Sequence, residues 1–231
     1  MSRLDDKIRY LQIAFNYDVG LVKQILPKVA KDVLKLPRGE ERILIEAGTP
    51  YIKREGVAGI EAIRRHWPGH VVADLKTVDG ALGEVNAARG GGATAATVLG
   101  SSPSEALNLF IARCQDLSMV SMIDMLGVQD PLRVLMRLKS PPDVVVLHRG
   151  RDEEGTRGKL IQYRHVNRLR SKFNVLISAA GGVDIHEARS AIFNGANIVV
   201  VNLVRPGDVW TGISTDGDVG AMAKEFLATI E

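Results

Sequence analysis

A lysine stands between two aspartates in Asp74-Leu75-Lys76-Thr77-Val78-Asp79. Asp74 and Lys76 are two apart, so in an extended segment both side chains point to one face, while Asp79 falls near the start of the next helix. Neighbouring carboxylates keep a lysine protonated, and such a cation stabilises negative charge developing on a substrate or delivers a proton. A structural Asp74–Lys76 ion pair and an N-cap role for Asp79 explain the same residues without chemistry.

Glu46 ends the apolar run Ile43-Leu44-Ile45 and precedes Ala47-Gly48-Thr49-Pro50, a turn in which Pro50 opens the next helix. Together with Asp74 it offers two oxygen ligands to Mg²⁺, which completes its shell with water and substrate oxygens; a surface or capping acid is the plainer alternative. His148 ends Val144-Val145-Val146-Leu147, suited to acid–base exchange near neutral pH, and Arg149 and Arg151 beside it can hold an anionic group. In Ala179-Ala180-Gly181-Gly182-Val183 two glycines let backbone amides approach an anion, with a tight turn as the alternative and Asp184 as cap of the following helix. His66, His70, His165 and His186 read as solvated or structural, and Cys114, within a helical pattern, as core. Gly90-Gly91-Gly92 precedes a strand and is assigned no ligand.

These groups need elements that bring them together. Apolar runs of strand character occur at Leu11 to Phe15, Arg42 to Ile45, His70 to Ala73, Thr94 to Leu99, Ser118 to Ile123, Asp143 to Leu147, Asn174 to Ser178 and Asn197 to Val201. Helical spacing separates them, as in Val19-Val22-Ile25-Leu26-Val29-Val33 and Leu132-Leu135-Met136, and a closing helix covers about Val219 to Ile230. Repeated strand-then-helix order predicts parallel strands, and about eight units is the count that closes an α/β (β/α)8 TIM barrel. A doubly wound open sheet shares the alternation. Asn16, Glu46, Asp74 with Lys76, Asp124, His148 and Gly181-Gly182 end at least six of the runs, and they converge only if the sheet closes into a ring.

The 231 residues, 45% hydrophobic, are read as one barrel domain over 1–231, with the longest irregular stretch at about Val204 to Gly217. A formal net charge of +3 lacks the dense positive field of sequence-independent nucleic-acid binding, which leaves small molecules as expected partners. One cysteine excludes an internal disulfide and fits a reducing cytoplasm. The start, Met1-Ser2-Arg3-Leu4-Asp5-Asp6-Lys7, shows no export signal, and no apolar run approaches the ~20 residues that span a bilayer.

Asp74-Leu75-Lys76-Thr77-Val78-Asp79, with Ile45-Glu46-Ala47-Gly48-Thr49-Pro50 ahead and Ala180-Gly181-Gly182-Val183 behind, resembles the orotidine 5'-monophosphate decarboxylase superfamily. Glu46 through Gly56 and His148-Arg149-Gly150 sharpen the likeness to its 3-hexulose-6-phosphate synthase family, particularly the archaeal form often fused to a formaldehyde-activating enzyme. The resemblance implies a Mg²⁺-dependent aldol reaction joining formaldehyde to ribulose 5-phosphate, or its reverse. It implies Glu46 and Asp74 as metal ligands, Lys76 beside the enediolate and His148 as acid or base. Asp79 is then the aspartate that enters the neighbouring subunit's site, making a homodimer with shared active sites. Two positions depart from the family. Asn16 stands where an aspartate is common, and Asn202-Leu203-Val204-Arg205-Pro206-Gly207 replaces a glycine-led phosphate loop, so Arg205 is expected to hold phosphate by its side chain. A decarboxylase of the same superfamily, acting on a sugar-phosphate acid or orotidine monophosphate, and a non-catalytic barrel binding a phosphorylated metabolite are the alternatives.

Overall fold

Eight parallel strands close on themselves. In the computed structural model they are β1 (Tyr10–Phe15), β2 (Ile43–Ala47), β3 (His70–Thr77), β4 (Ala95–Leu99), β5 (Val120–Asp124), β6 (Val144–His148), β7 (Leu176–Ala180) and β8 (Ile198–Val204). Each pairs with the next, and β8 returns to β1 with Tyr10 opposite Ile198 and Ala14 opposite Asn202, so the sheet is a (β/α)8 barrel and not an open one. Residues 4–156 and 158–231 are described; Met1-Ser2-Arg3, part of the start read for an export signal, lie outside them.

The helices are α1 (Val19–Val33), α2 (Gly39–Arg42), α3 (Thr49–His66), α4 (Ala81–Gly90), α5 (Ser104–Asp116), α6 (Pro131–Leu135), α7 (Val166–Arg170), α8 (Ile185–Phe193) and α9 (Val219–Thr229). Caps follow the expected chemistry: Asp18 accepts from the Leu21 amide at 3.0 Å and Asp184 from that of Glu187 at 2.7 Å, while Pro50 sits in the first turn of α3. The helical pattern around Leu132 is short, ending at Leu135. The irregular stretch after Val204 contains a two-residue strand, β9 (Ile213–Ser214), beside the end of β8.

Strand parity divides the core in two. Ile13, Ile45, Val71, Ile123, Val145, Ile177 and Val199 pack outward against the helices. Tyr10, Leu44, Val72, Met122, Val144, Leu176 and Ile198 fill the barrel itself. Fully burying one such side chain contributes about 1.5–3 kcal/mol, so the two layers make a stiff wall around the strand ends. Cys114 is in the outer core, and burial pushes its thiol up to about 12. Gly90 to Gly92 lie at the opposite end from the polar strand termini, where Arg64 donates to the Gly92 carbonyl at 3.0 Å. Among the described residues no helix is long and apolar enough to cross a membrane.

Candidate active site

The inward parity that places Val72 and Met122 in the barrel carries on to the strand ends, where the side chains turn polar. There Gln12, Glu46, Asp74, Thr97, Asp124 and His148 line a cavity of about 530 Å³ at the C-terminal mouth. Burial is tight: Glu46, Asp74 and Asp124 are 7, 8 and 2% exposed. Three acids in that setting demand positive charge.

Lys76 supplies it. Its ammonium lies 2.7 and 2.9 Å from the two Asp74 oxygens and 3.1 Å from Asp124 Oδ2. Simple alternation in an extended strand is not what brings Asp74 and Lys76 together. The pairing of β3 with β4 steps from Ala73↔Ala96 to Thr77↔Val98, so β3 bulges here, and Lys76 adopts φ 47°, a left-handed conformation uncommon for lysine. Thr97 holds the bulge, accepting from the Lys76 amide at 3.0 Å and donating its hydroxyl to Asp74 Oδ1 at 2.8 Å. Thr49, in the first turn of α3, donates its hydroxyl to Asp74 Oδ2 at 2.7 Å. Burial opposes charge on Lys76, but Asp74 and Asp124 outweigh it and hold the ammonium above the usual lysine range.

Asp124 links the lysine to His148. Its oxygens lie 2.9 and 3.1 Å from His148 Nδ1, and one of them also accepts from the Leu126 amide at 3.0 Å. An ionised carboxylate only accepts, so Nδ1 carries the proton and Nε2 is left for exchange. Burial resists the charge on Asp124, yet His148 and Lys76 together hold it down at about 2. Burial also works against a charged His148, and the Asp124 carboxylate more than reverses this, raising the imidazole above its ordinary value. Asp124→Asn should therefore lower the His148 titration midpoint, read by NMR of the ring protons; an unchanged midpoint would refute the coupling.

Among the described residues Glu46 has no cation of its own within ion-pair distance. Burial first, and then the Asp74 charge, push it up to about 7 against the pull of Lys76 and of a Gln12 hydrogen bond. Gln12 Oε1 is buried without a hydrogen-bond partner among the described residues. Two hard carboxylates crowded with too little positive charge fit a divalent cation. Among the described residues no three His, Cys, Asp or Glu side chains group to hold one, so Mg²⁺ would take Glu46 and Asp74 and complete its shell with water and substrate.

The remaining expected residues divide. Asn16 lines the cavity and donates to Asn202 at 3.0 Å; Arg151 and Gly181 line it too, with the Arg151 guanidinium 4.5 Å from the Trp210 ring. Gly182 and Arg149 lie just behind, the guanidinium donating to the Gly181 and Gly182 carbonyls at 3.0 and 3.3 Å. A Cβ on Gly181 would stand 1.9 Å from the Arg149 carbonyl oxygen, so this turn requires glycine. Arg205 does not reach the cavity. Because β8 runs on to Val204, Arg205 leaves the barrel mouth, pairs with Asp18 at 2.7 Å and stacks 4.4 Å from the Tyr17 ring. Asp79 is exposed and outside the cavity, and Gly80 takes the N-cap position of α4. Sequence reasoning passed over Gln12 and Thr97 and took Asn202 only as the start of a loop, although a polar residue at inward parity within an apolar run was a usable signal.

Over residues 11–202 the chain matches the family described as Orotidine 5'-phosphate decarboxylase / HUMPS family. The "Bifunctional enzyme Fae/Hps" of Methanothrix thermoacetophila is 34% identical over 224 residues, covering 96% of this chain and 53% of that protein. The chain thus spans about half the length of the curated relatives it matches. A crystal structure of 3-hexulose-6-phosphate synthase has a TM-score of 0.76 at 27% identity, covering 96% of this chain and 100% of that one. The 3-hexulose-6-phosphate synthase from Salmonella typhimurium, at 24% identity, shares the fold with a TM-score of 0.80 over 96% of this chain and 98% of that one. With a family match that takes in β1 through most of β8, the chain belongs to the Orotidine 5'-phosphate decarboxylase / HUMPS family.

Proposed function

We propose that the chain is an aldehyde-lyase that joins formaldehyde to ribulose 5-phosphate, reversibly, to give a 3-hexulose 6-phosphate. The observation that carries this is one buried cation, Lys76, shared by Asp74 and Asp124, with His148 bound to the second of these acids. The 27%-identical synthase and the Fae/Hps relatives, matched over half their length, support it.

The reaction removes a C1 proton from ribulose 5-phosphate, attacks formaldehyde with the resulting enediolate carbon and protonates the new alkoxide. Lys76 is held too firmly charged to act as the base; its ammonium faces the negative charge that develops on the substrate oxygens. His148 Nε2 takes the C1 proton and, as imidazolium, returns it to the oxygen that came from formaldehyde, so the protons balance. Asp124 keeps the ring oriented and favours the charged form that donates. Glu46 and Asp74 would hold Mg²⁺, which would supply Lewis-acid stabilisation to negative charge developing on the substrate. The phosphate end of the substrate lies toward the Gly181-Gly182 turn.

The same proposal makes the protein a homodimer with Asp79 reaching the partner's site. Asp79, Leu82 and Leu109 of α5 border a shallow apolar depression that a second copy would cover, and Val78 beside Asp79 is 52% exposed. A reducing cytoplasm suits the single, buried Cys114. Purified protein incubated with ribulose 5-phosphate, formaldehyde and Mg²⁺ should consume the ketose only when formaldehyde is present, and EDTA should stop it. Consumption unchanged by EDTA would reject the metal, and no formaldehyde-dependent loss would reject the reaction.

A further inference from the structure

Glu154 places a carboxylate at the end of the cavity where the proposed substrate would carry its own negative charge. It follows the short 3-10 turn Arg151–Glu153 after β6 and lines the cavity beside the ends of β7 and β8. Its Oε2 accepts from the Thr211 amide at 3.3 Å. A Cβ on Gly182, itself at φ 63°, would meet that same oxygen at 3.1 Å and the Arg149 guanidinium at 2.1 Å. The other carboxylate oxygen, Oε1, is buried and has no hydrogen-bond partner among the described residues; the same holds for Arg149 Nε.

A backbone amide, a guanidinium and a glycine turn without side chains form a cradle for an anion. The carboxylate inside it is only half satisfied: one oxygen has a single long hydrogen bond and the other has none. We propose that Glu154 is an internal competitor for the substrate's phosphate, occupying the cradle of Gly182, Arg149 and the Thr211 amide until phosphate displaces it. The proposal rests on the reading of the substrate as a sugar phosphate. A dianionic phosphate offers more acceptor oxygens and more charge than the carboxylate it replaces, whereas a neutral or singly charged tail gains little from the exchange. Glu154 therefore selects for a phosphorylated substrate by keeping weaker anions out.

The test is equilibrium binding of inorganic phosphate to the full chain by calorimetry, comparing wild type with Glu154→Gln and Glu154→Ala. Glu154→Gln keeps an acceptor for Thr211 and so guards the fold, while both variants remove the competing charge. Phosphate should bind at least about tenfold tighter to each variant, since a like charge at contact distance is lost. Unchanged or weaker binding to the folded Glu154→Gln protein, or no binding to any of the three, overturns the proposal. The measurement needs no turnover, so its failure is separate from a failure of the aldol reading, which formaldehyde-dependent consumption of ribulose 5-phosphate decides.

Discussion

Lys76→Ala should lower turnover by about 10²–10³-fold or more, because it deletes the buried ammonium that faces charge developing on the substrate. The structure adds a cost to stability that the motif alone does not suggest. Lys76 neutralises Asp74 and Asp124 on a floor where both acids are nearly inaccessible, so its removal leaves them facing each other with one partner fewer. The sign with pH follows from Asp124. Its folded value is depressed to about 2, so its contribution is present above the unfolded carboxylate range, at about 4, and is lost as pH falls toward 2. Without Lys76 that depression shrinks. The variant should be less stable than wild type at pH 7, with the deficit narrowing below about pH 4 as carboxylates protonate, which denaturant unfolding at several pH values measures. Near-normal turnover, or a deficit that widens on acidification, contradicts the role.

Asp79→Ala should be as inactive as Lys76→Ala when each is assayed alone, yet mixing the two under subunit exchange should restore activity. If Asp79 serves the partner's site, every complete site takes Lys76 from one chain and Asp79 from the other. A mixed dimer then holds one site with both defects and one with neither, so random pairing returns up to about one quarter of wild-type activity. Asp79 does not cap α4, since Gly80 occupies that position without a side-chain bond, and it lies outside the cavity of its own chain. A merely structural Asp79 would leave the variant mostly active, and an aspartate acting within its own subunit would give no recovery on mixing.

Much of the barrel was legible because its strands are buried on both faces and read as continuous apolar runs, and all eight begin within two residues of the expected positions. Run ends also marked the mouth, since Glu46, Asp74, Asp124 and His148 all stand where an apolar stretch stops. What stayed hidden depends on register between strands, which periodicity along one strand does not encode. The spacing of Asp74 and Lys76 predicted that they would meet, but the meeting comes from a bulge that Thr97 of the neighbouring strand secures. Asp124 was expected at the mouth with the other run ends; only its position across from His148 and Lys76 shows it joining the two. Arg205 was expected at the phosphate because strand eight was read as ending at Val201, and the further residues to Val204 carry it to Tyr17 and Asp18.

In the proposed reaction Lys76, Glu46, Asp74 and His148 turn a phosphorylated ketose into an enediolate before any aldehyde arrives. Proton NMR of ribulose 5-phosphate in D₂O, with the protein and Mg²⁺ but no formaldehyde, tests this most directly. One C1 proton should exchange for deuterium with a single stereochemistry, and the exchange should vanish with Lys76→Ala or EDTA. Retention of both C1 protons under conditions where the protein consumes ribulose 5-phosphate with formaldehyde, or exchange at the same rate without Lys76, would contradict it.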